Sequence, residues 1–332
     1  NTVAVHSFHF IGNKCYVATR NKIMVIDCYT MKQVDAFGLA NLIPCSLTSS
    51  YDGTVLYFTH IDGASCLFLA SRKRVELTGH TGNVHVITGD NEHAFTASLS
   101  LVMMWHAASG ARLKTFSGNV GTVIGLSYFS KTGTLFASDH NLLVCWNVNT
   151  DPVSYMVIVT DFGFHRIRHR VVNDKYLFLQ IRHESAGLLN IETFAGLNRL
   201  SFGCDLSFMT VLDQRLLVRV GATMRFSTID INNDNVCVVY DHAEKHYDYA
   251  CISADGRFLA HNPMVSTGFY IDRIPLKRTV FFKRGQVMID LDNSIQRIFL
   301  YSMDGAILTE DHRLVYMITP DTEVCVKLQS QL

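Results

Sequence analysis

The sequence has few residues that interrupt strands, and it has no catalytic loop motif. Only 5 of its 332 residues are proline, and none lies inside a segment that we predict to be a central strand. No window has a convincing helical period. The Gly-x-Ser-x-Gly, P-loop and Gly-x-Gly-x-x-Gly motifs are all missing, and the spacing of Ser, His and Asp indicates no triad. We therefore predict an all-β protein without catalytic activity.

The chain also lacks an excess of either charge. Lys and Arg number 29, as do Asp and Glu, whereas proteins that bind nucleic acid generally carry a basic excess. We expect no nucleic-acid partner. Charged residues make up 17% and hydrophobic residues 48%, which predicts a packed core rather than disorder. No apolar run approaches the length of a membrane span.

Cysteine is present, but neither the number nor the spacing of the cysteines predicts a disulfide framework. The nine cysteines are odd in number and include no Cys-x-x-Cys pair, which predicts a reducing, cytoplasmic location and no disulfide framework. His242 and His246 flank a Glu at a strand–loop junction rather than on a helix, so we expect no metal site and no cofactor. The first residue is Asn1 rather than Met, which leaves open that the chain is one domain of a larger protein.

One unit recurs along the whole chain. A Gly79-His80 pair precedes an apolar strand that ends at Trp105, and a similar strand ends at Trp146, 41 residues later. Turn residues recur every 38 to 49 positions. These turn residues are Gly12, Gly53, Asn91, Gly133, Asp174, Asp213, Gly256 and Gly305. A period of about 40–45 residues with these signatures resembles the WD40 repeat.

The resemblance implies one β-propeller domain over residues 1–332, built of four-stranded antiparallel blades. The landmarks predict eight blades. If Gln286–Ser294 is an insertion, the alternative is seven.

In the WD40 family, a buried hydrogen-bond chain links the His of the Gly-His pair, a strand Ser or Thr, an Asp and the Trp. A buried polar chain of this kind is favourable only when every member is satisfied. The resemblance assigns these structural roles to His80, Ser98 and Trp105 in one blade, and to Ser138, Asp139 and Trp146 in the next. The blade that ends at Trp105 has no Asp in this turn. In the blade that ends at Trp146, Asn119 stands in place of the His. In most other blades an aliphatic residue occupies the Trp position, so we expect apolar packing to hold them together.

Two basic motifs are candidate binding sites. Arg166, Arg168 and Arg170 alternate along a predicted innermost strand beside the central channel. Arginine forks suit carboxylates and phosphates, so this strand could bind an anion or an acidic peptide. Pairing of the arginines with nearby acids of the protein is the structural alternative.

Lys283 and Arg284 belong to a Phe-Lys-Arg-Gly segment that resembles the Phe-Arg-Arg-Gly motif of phosphoinositide-binding propellers. Lys283 departs from that motif. An exposed strand end with two solvated basic residues is the simpler interpretation.

The resemblance implies a non-catalytic scaffold that binds segments of other proteins through its blade loops and channel mouth, as a subunit of a larger assembly. The alternative is a phosphoinositide-binding membrane adaptor.

Overall fold

The structure is a computed structural model that describes the chain almost continuously to residue 159 and in separate segments beyond it. The backbone is described at 5–40, 42–61, 63–116, 121–139, 142–150, 154–159, 168–172, 176–181, 185–191, 198–201, 206–212, 215–220, 224–230, 236–242, 247–253, 258–263, 270–273, 280–283, 286–289, 300–301, 307–311, 314–318 and 323–327. Beyond residue 150, side chains are described at Met156, Val157, Leu177, Leu189, Ile191, Cys251, Ser253, Phe258–Ala260 and Ile271.

Every regular element in the described residues is a β-strand, which confirms the all-β prediction. The first four sheets contain β1 Val5–Ile11, β2 Lys14–Thr19, β3 Lys22–Asp27, β4 Lys32–Gly38, β5 Pro44–Ser49, β6 Val55–His60, β7 Gly63–Phe68, β8 Arg74–Leu77, β9 Val86–Gly89, β10 His93–Ser98, β11 Leu101–His106, β12 Arg112–Phe116, β13 Gly125–Phe129, β14 Thr134–Ser138, β15 Leu142–Asn147 and β16 Ser154–Val159.

The later strands continue the same series. They are β17 Arg168–Val172, β18 Tyr176–Ile181, β19 Ser185–Asn190, β20 Asn198–Ser201, β21 Leu206–Leu212, β22 Arg215–Val220, β23 Met224–Asp230, β24 Val236–His242, β25 Tyr247–Ile252, β26 Phe258–Pro263, β27 Tyr270–Arg273, β28 Val280–Lys283, β29 Gln286–Ile289, β30 Leu300–Tyr301, β31 Ile307–Asp311, β32 Leu314–Ile318 and β33 Glu323–Lys327.

Consecutive strands form antiparallel sheets in simple up-and-down order. Six sheets, from β1–β4 to β21–β24, have four strands each. In the described residues, β25–β27 form a three-stranded sheet, β28–β29 a two-stranded sheet and β30–β33 a four-stranded sheet. These sheets confirm the predicted four-stranded antiparallel unit. In each of the first four sheets, the first strand is the innermost and the fourth is the outermost, so the connections lie at two opposite ends.

Burial along the strands explains why these segments fold this way. All six residues of β6 are buried, because an inner strand of a sheet between two other sheets is covered on both faces. The outer strand β8 instead alternates between exposed and buried residues. This pattern is expected when the side chains on only one face of a strand contact an adjacent sheet.

The turns between the first and second strands repeat one hydrogen-bond pattern. Ser50 Oγ donates to Asp52 Oδ1 at 2.7 Å and accepts from Val55 N at 3.0 Å, and Gly53 adopts a φ of 70°. Two hundred residues later in the chain, Ser253 Oγ accepts from Phe258 N at 3.0 Å. The shared geometry in the second sheet and in the sheet β25–β27 supports the repeat that the turn landmarks predict.

Three apolar clusters fill the spaces between neighbouring sheets. One joins the first and second sheets around Phe58, the next joins the second and third around Trp105, and the third joins the third and fourth around Trp146. Each tryptophan therefore packs on the preceding sheet, and burial of this apolar area is the main stabilising contribution.

The first sheet also packs on the sheet β25–β27. Phe8, Phe10 and Cys15 share one buried cluster with Phe258 and Ala260. An eight-blade ring would place a further sheet between these two. The packing favours the seven-blade alternative, while the number of blades itself stays a prediction.

Candidate functional site

A polar cluster around Thr96 joins the two signature residues of the third sheet. Trp105 Nε1 donates to Thr96 Oγ1 at 2.6 Å, and His80 Nε2 lies 2.7 Å from the same oxygen. A hydroxyl can accept from the indole and donate to a neutral imidazole at the same time. Thr96 is fully buried, so these hydrogen bonds satisfy its polar group.

Gly79 allows this arrangement because it has no side chain. A Cβ at Gly79 would lie 3.3 Å from Trp105 Cη2, and its φ is 141°. Both observations explain why glycine precedes His80, whose ring centroid lies 5.9 Å from that of Trp105.

The Nδ1 atom of His80 makes no hydrogen bond to the described part of the protein, although it is buried. Burial lowers the pKa of His80 below its ordinary value of 6.5, because a low-dielectric surrounding disfavours the charged imidazolium. His80 is therefore neutral at neutral pH.

Ser98, which the sequence analysis assigned to the strand hydroxyl, lies two residues beyond Thr96 in β10 and is buried. Trp105 pairs with Ala94, so its indole reaches the next residue on that face, Thr96, before it would reach Ser98. The Ser98 hydroxyl instead faces Gly82, where a Cβ would lie 3.1 Å from Ser98 Oγ. The hydroxyl that bonds the indole is thus Thr96, which the sequence analysis did not single out.

The fourth sheet buries its tryptophan among apolar side chains. Trp146 is 1% exposed, and its ring centroid lies 5.5 Å from that of Phe116. Ala137 occupies the register position that Thr96 has in the third sheet, because Leu135 pairs with Trp146 as Ala94 pairs with Trp105.

Ser138 is the last residue of β14 and Asp139 follows it, and both are buried. Asp139 Oδ1 accepts from Leu142 N at 2.7 Å, which closes its own turn. A Cβ at Gly121 would lie 2.9 Å from Asp139 Oδ2, so the incoming chain passes directly over this carboxylate.

The predicted basic sites are described only in part. Arg168 and Arg170 lie in β17, the innermost strand of its sheet, where they pair with Gln180 and Phe178. Lys283 is the last residue of β28. Arg166 and Arg284 lie outside the described residues.

A second polar cluster, which sequence reasoning missed, joins three strands of the second sheet. Ser65 Oγ donates to Glu76 Oε2 at 2.9 Å and lies 3.1 Å from His60 Nε2. Arg74 Nε pairs with Glu76 Oε1 at 3.0 Å, and Arg74 donates at 3.3 Å to the carbonyl oxygen of Leu39, the residue after the last strand of the first sheet. The residues lie on three different strands, and their spacing matches no known motif, so the sequence did not indicate the cluster.

The geometry of this cluster indicates a structural contact between strands and not an activated serine nucleophile. In a catalytic triad the acid holds the imidazole nitrogen opposite the serine, but Glu76 contacts His60 Nε2, on the same side as Ser65, at 3.3 Å. Ser65 is fully buried. The cluster holds the second sheet to the chain that leaves the first.

Three hairpin turns at one end of neighbouring sheets place equivalent residues in a row. The first turn residue is Arg20 between β2 and β3, Ile61 between β6 and β7, and Leu99 between β10 and β11. We call these three residues the turn row. Arg20 is exposed, Ile61 is 55% exposed and Leu99 is 57% exposed.

Leu99 is also held in an unusual backbone conformation. Its φ is 51°, a region in which a bulky non-glycine residue is uncommon. Its carbonyl oxygen accepts from Val123 N at 2.8 Å, and Val123 is buried. The segment that leads into the fourth sheet therefore holds the turn in place.

Neither metal ligands nor a membrane-spanning helix is found in the part of the chain that the structure describes. No three His, Cys, Asp or Glu side chains there are grouped so that they could hold a metal ion. The same residues include no helix with the length and apolar character needed to cross a membrane.

Comparison with solved structures shows the fold. A chain of the structure titled "Crystal Structure of Mitotic Checkpoint Complex" superposes with a TM-score of 0.65 at 15% identity, covering 79% of this chain and 84% of that chain. The RRP9 WD40 repeats superpose with a TM-score of 0.64 at 12% identity, covering 79% and 88%. No protein-family model and no curated protein sequence matches the chain. The likeness confirms the predicted WD40-type β-propeller fold.

Proposed function

We propose that this propeller is a non-catalytic scaffold that binds segments of other proteins through the turns at one end of its sheets. One observation carries the proposal: Leu99 presents an exposed apolar side chain from a strained backbone. Each feature costs free energy, and strained residues concentrate at functional sites where the surrounding structure holds them. A bound partner would cover the leucine.

The fold supports the same interpretation. WD40-type propellers present many turns on a rigid frame, and recognition generally resides in such connections. One of the similar structures is, by its title, a complex. We propose in addition that the chain is a cytoplasmic subunit of a larger assembly, and that Arg166, Arg168 and Arg170 bind an acidic segment at the channel mouth.

The scaffold proposal is tested by affinity purification of the tagged chain, identification of co-purifying proteins by mass spectrometry, and reconstitution from purified components. We expect at least one protein to co-elute with the chain in size-exclusion chromatography at equal stoichiometry. Failure of every purified candidate to form a complex at physiological salt would contradict the proposal.

The second candidate function is binding of phosphoinositide headgroups. It is supported by the basic pair Lys283-Arg284 in a motif like that of phosphoinositide-binding propellers. Flotation with liposomes that contain phosphoinositide tests it. Lipid-dependent recruitment that is lost on Arg284→Thr would support this function, and recruitment unchanged by that substitution would remove it.

A further inference from the structure

We infer that the turn row binds an extended protein segment in which one acidic side chain is followed by two aliphatic side chains, each about three residues from the last. This inference rests on the proposed scaffold function and names the partner chemistry of one surface. Its parts come from the order, spacing and charge of Arg20, Ile61 and Leu99.

The order follows from the strand register. Two residues separate β2 from β3, β6 from β7 and β10 from β11, so each hairpin has a two-residue turn at the same end of its sheet. The three sheets are consecutive around the ring. The first turn positions therefore present one cationic and two aliphatic side chains in succession.

The spacing follows from sheet packing. Sheets that pack face to face are about 10 Å apart, and an extended chain advances about 3.3 Å per residue. A segment that crosses the three sheets therefore brings about every third residue over the next member of the turn row.

The charge of the surface selects the acidic residue. Arg20 is exposed, and none of the ion pairs among the described side chains includes it. In the second sheet the Glu76 carboxylate pairs with Arg74, and in the fourth sheet Asp139 is buried. A carboxylate of the partner would therefore meet an unpaired guanidinium, whose fork geometry suits it.

The rigidity of the surface favours binding. The carbonyl of Leu99 is hydrogen-bonded to Val123 N, so the turn needs no reordering when a partner binds. A preorganised surface loses less conformational entropy on association.

The test uses an array of immobilised synthetic 12-residue peptides, probed with the purified full chain. Each peptide carries one Asp and two Leu in a Ser/Gly background, with one to four residues between successive members of the pattern. Matched peptides replace Asp by Lys or scramble the order. We expect the Asp peptides with two or three intervening residues to bind most strongly, and the Lys peptides to bind weakly.

Substitutions then locate the site. Leu99→Asn removes the apolar side chain, while Asn tolerates positive φ, so the variant should fold normally and bind about tenfold less tightly. Leu99→Gly should raise the melting temperature and still weaken binding, because glycine accepts the backbone conformation. A purely structural role for Leu99 would not separate stability from binding in this way.

A charge exchange provides the sharpest result. The Arg20→Glu variant should no longer bind the Asp peptides and should bind the Lys peptides instead. Tyr51→Asn is the matched control, because Tyr51 is 90% exposed in a turn at the opposite end of β6, and it should bind as the unmodified chain does.

The outcomes separate this inference from the scaffold function. If Asp peptides bind but Arg20→Glu and Leu99→Asn leave binding unchanged, the inference is wrong while the scaffold function stands. If no peptide binds although the chain forms a reconstituted complex, the inference is again wrong. If no complex forms either, both are wrong.

Discussion

The third and fourth sheets have the same strand register and bury the same aromatic residue, but they treat polar groups differently. In the third sheet, Thr96 bonds both Trp105 and His80. Ser98 lies four residues after the strand partner of Trp105, as Asp139 lies four residues after that of Trp146. In the fourth sheet, Asp139 is present but closes its own turn through Leu142 N. Each sheet keeps part of the buried polar chain that the WD40 resemblance implies.

This difference teaches that burial of the indole, rather than the complete polar chain, is what the two sheets share. Trp105 and Trp146 are each 1% exposed and lie in apolar clusters between sheets. Buried polar groups add stability only where they find partners, so each sheet keeps the polar contacts that its own neighbours complete.

Truncation of either tryptophan should give the largest loss of stability. We expect Trp105→Ala and Trp146→Ala each to lower the free energy of unfolding by about 3–5 kcal/mol, as removal of large buried aromatics does. Trp105→Ala also removes the hydrogen bond that the indole donates to Thr96 Oγ1. Urea denaturation measures both, with Tyr51→Ala as an exposed aromatic control. A loss of unfolding free energy smaller than that of Tyr51→Ala would contradict the assignment of the two tryptophans to buried positions between sheets.

Removal of the bridging hydroxyl should have the next largest effect. Thr96→Val keeps the shape of the side chain but leaves the indole N–H and the imidazole without their partner, at a cost of about 1–3 kcal/mol. Thr96→Ser retains the hydroxyl and should cost clearly less. A double-mutant cycle with Trp105→Phe isolates the indole bond, and additivity of the two substitutions would mean that this bond contributes nothing.

An Asp in place of Ser98 should make the third sheet resemble the fourth and give His80 Nδ1 a hydrogen-bond acceptor. In Ser98→Asp the new oxygens can accept from His80 Nδ1 and from the turn, which should raise the free energy of unfolding by about 1 kcal/mol. The nearby negative charge should also raise the pKa of His80. Thermal denaturation and NMR titration of the imidazole measure the two effects, with Ser98→Asn as the uncharged control. An unchanged His80 titration would show that the carboxylate does not reach the ring.

The pH dependence contributed by His80 should be the smallest effect. Burial lowers the pKa of His80 below 6.5 in the folded chain, so the unfolded chain binds this proton more readily. The contribution of His80 to stability is complete above about pH 6.5 and is lost as the pH falls through the folded-state pKa. The difference in unfolding free energy between the unmodified chain and His80→Gln should therefore shrink from pH 7.5 to pH 5. A constant difference would contradict the lowered pKa.

Much of the fold could be predicted because its signals are local. The strands ending at Trp105 and Trp146 were predicted from an apolar run and a terminal tryptophan, and they are β11 and β15. The turn at Ser50–Gly53 forms the hydrogen bonds that its residue types favour. Both depend only on residues within a few positions of one another.

The site was harder to predict because its contacts depend on register and on neighbouring sheets. Whether an indole reaches Thr96 or Ser98 follows from which residue stands opposite Trp105, and the sequence pattern is compatible with either. The exposure of Leu99 together with its positive φ is likewise invisible in the sequence, because a leucine after a strand usually predicts core.

By itself, the sequence determined the repeating four-stranded unit, its turns and the two buried tryptophans, because strand alternation and turn chemistry act over short stretches of chain. Only the tertiary structure decided that Thr96 bridges Trp105 and His80, that Glu76 braces the second sheet, and that Phe258 packs against the first sheet. These contacts join residues that lie apart in the sequence. The first two depend on strand register within one sheet, and the third depends on how whole sheets pack side by side; no local pattern encodes either.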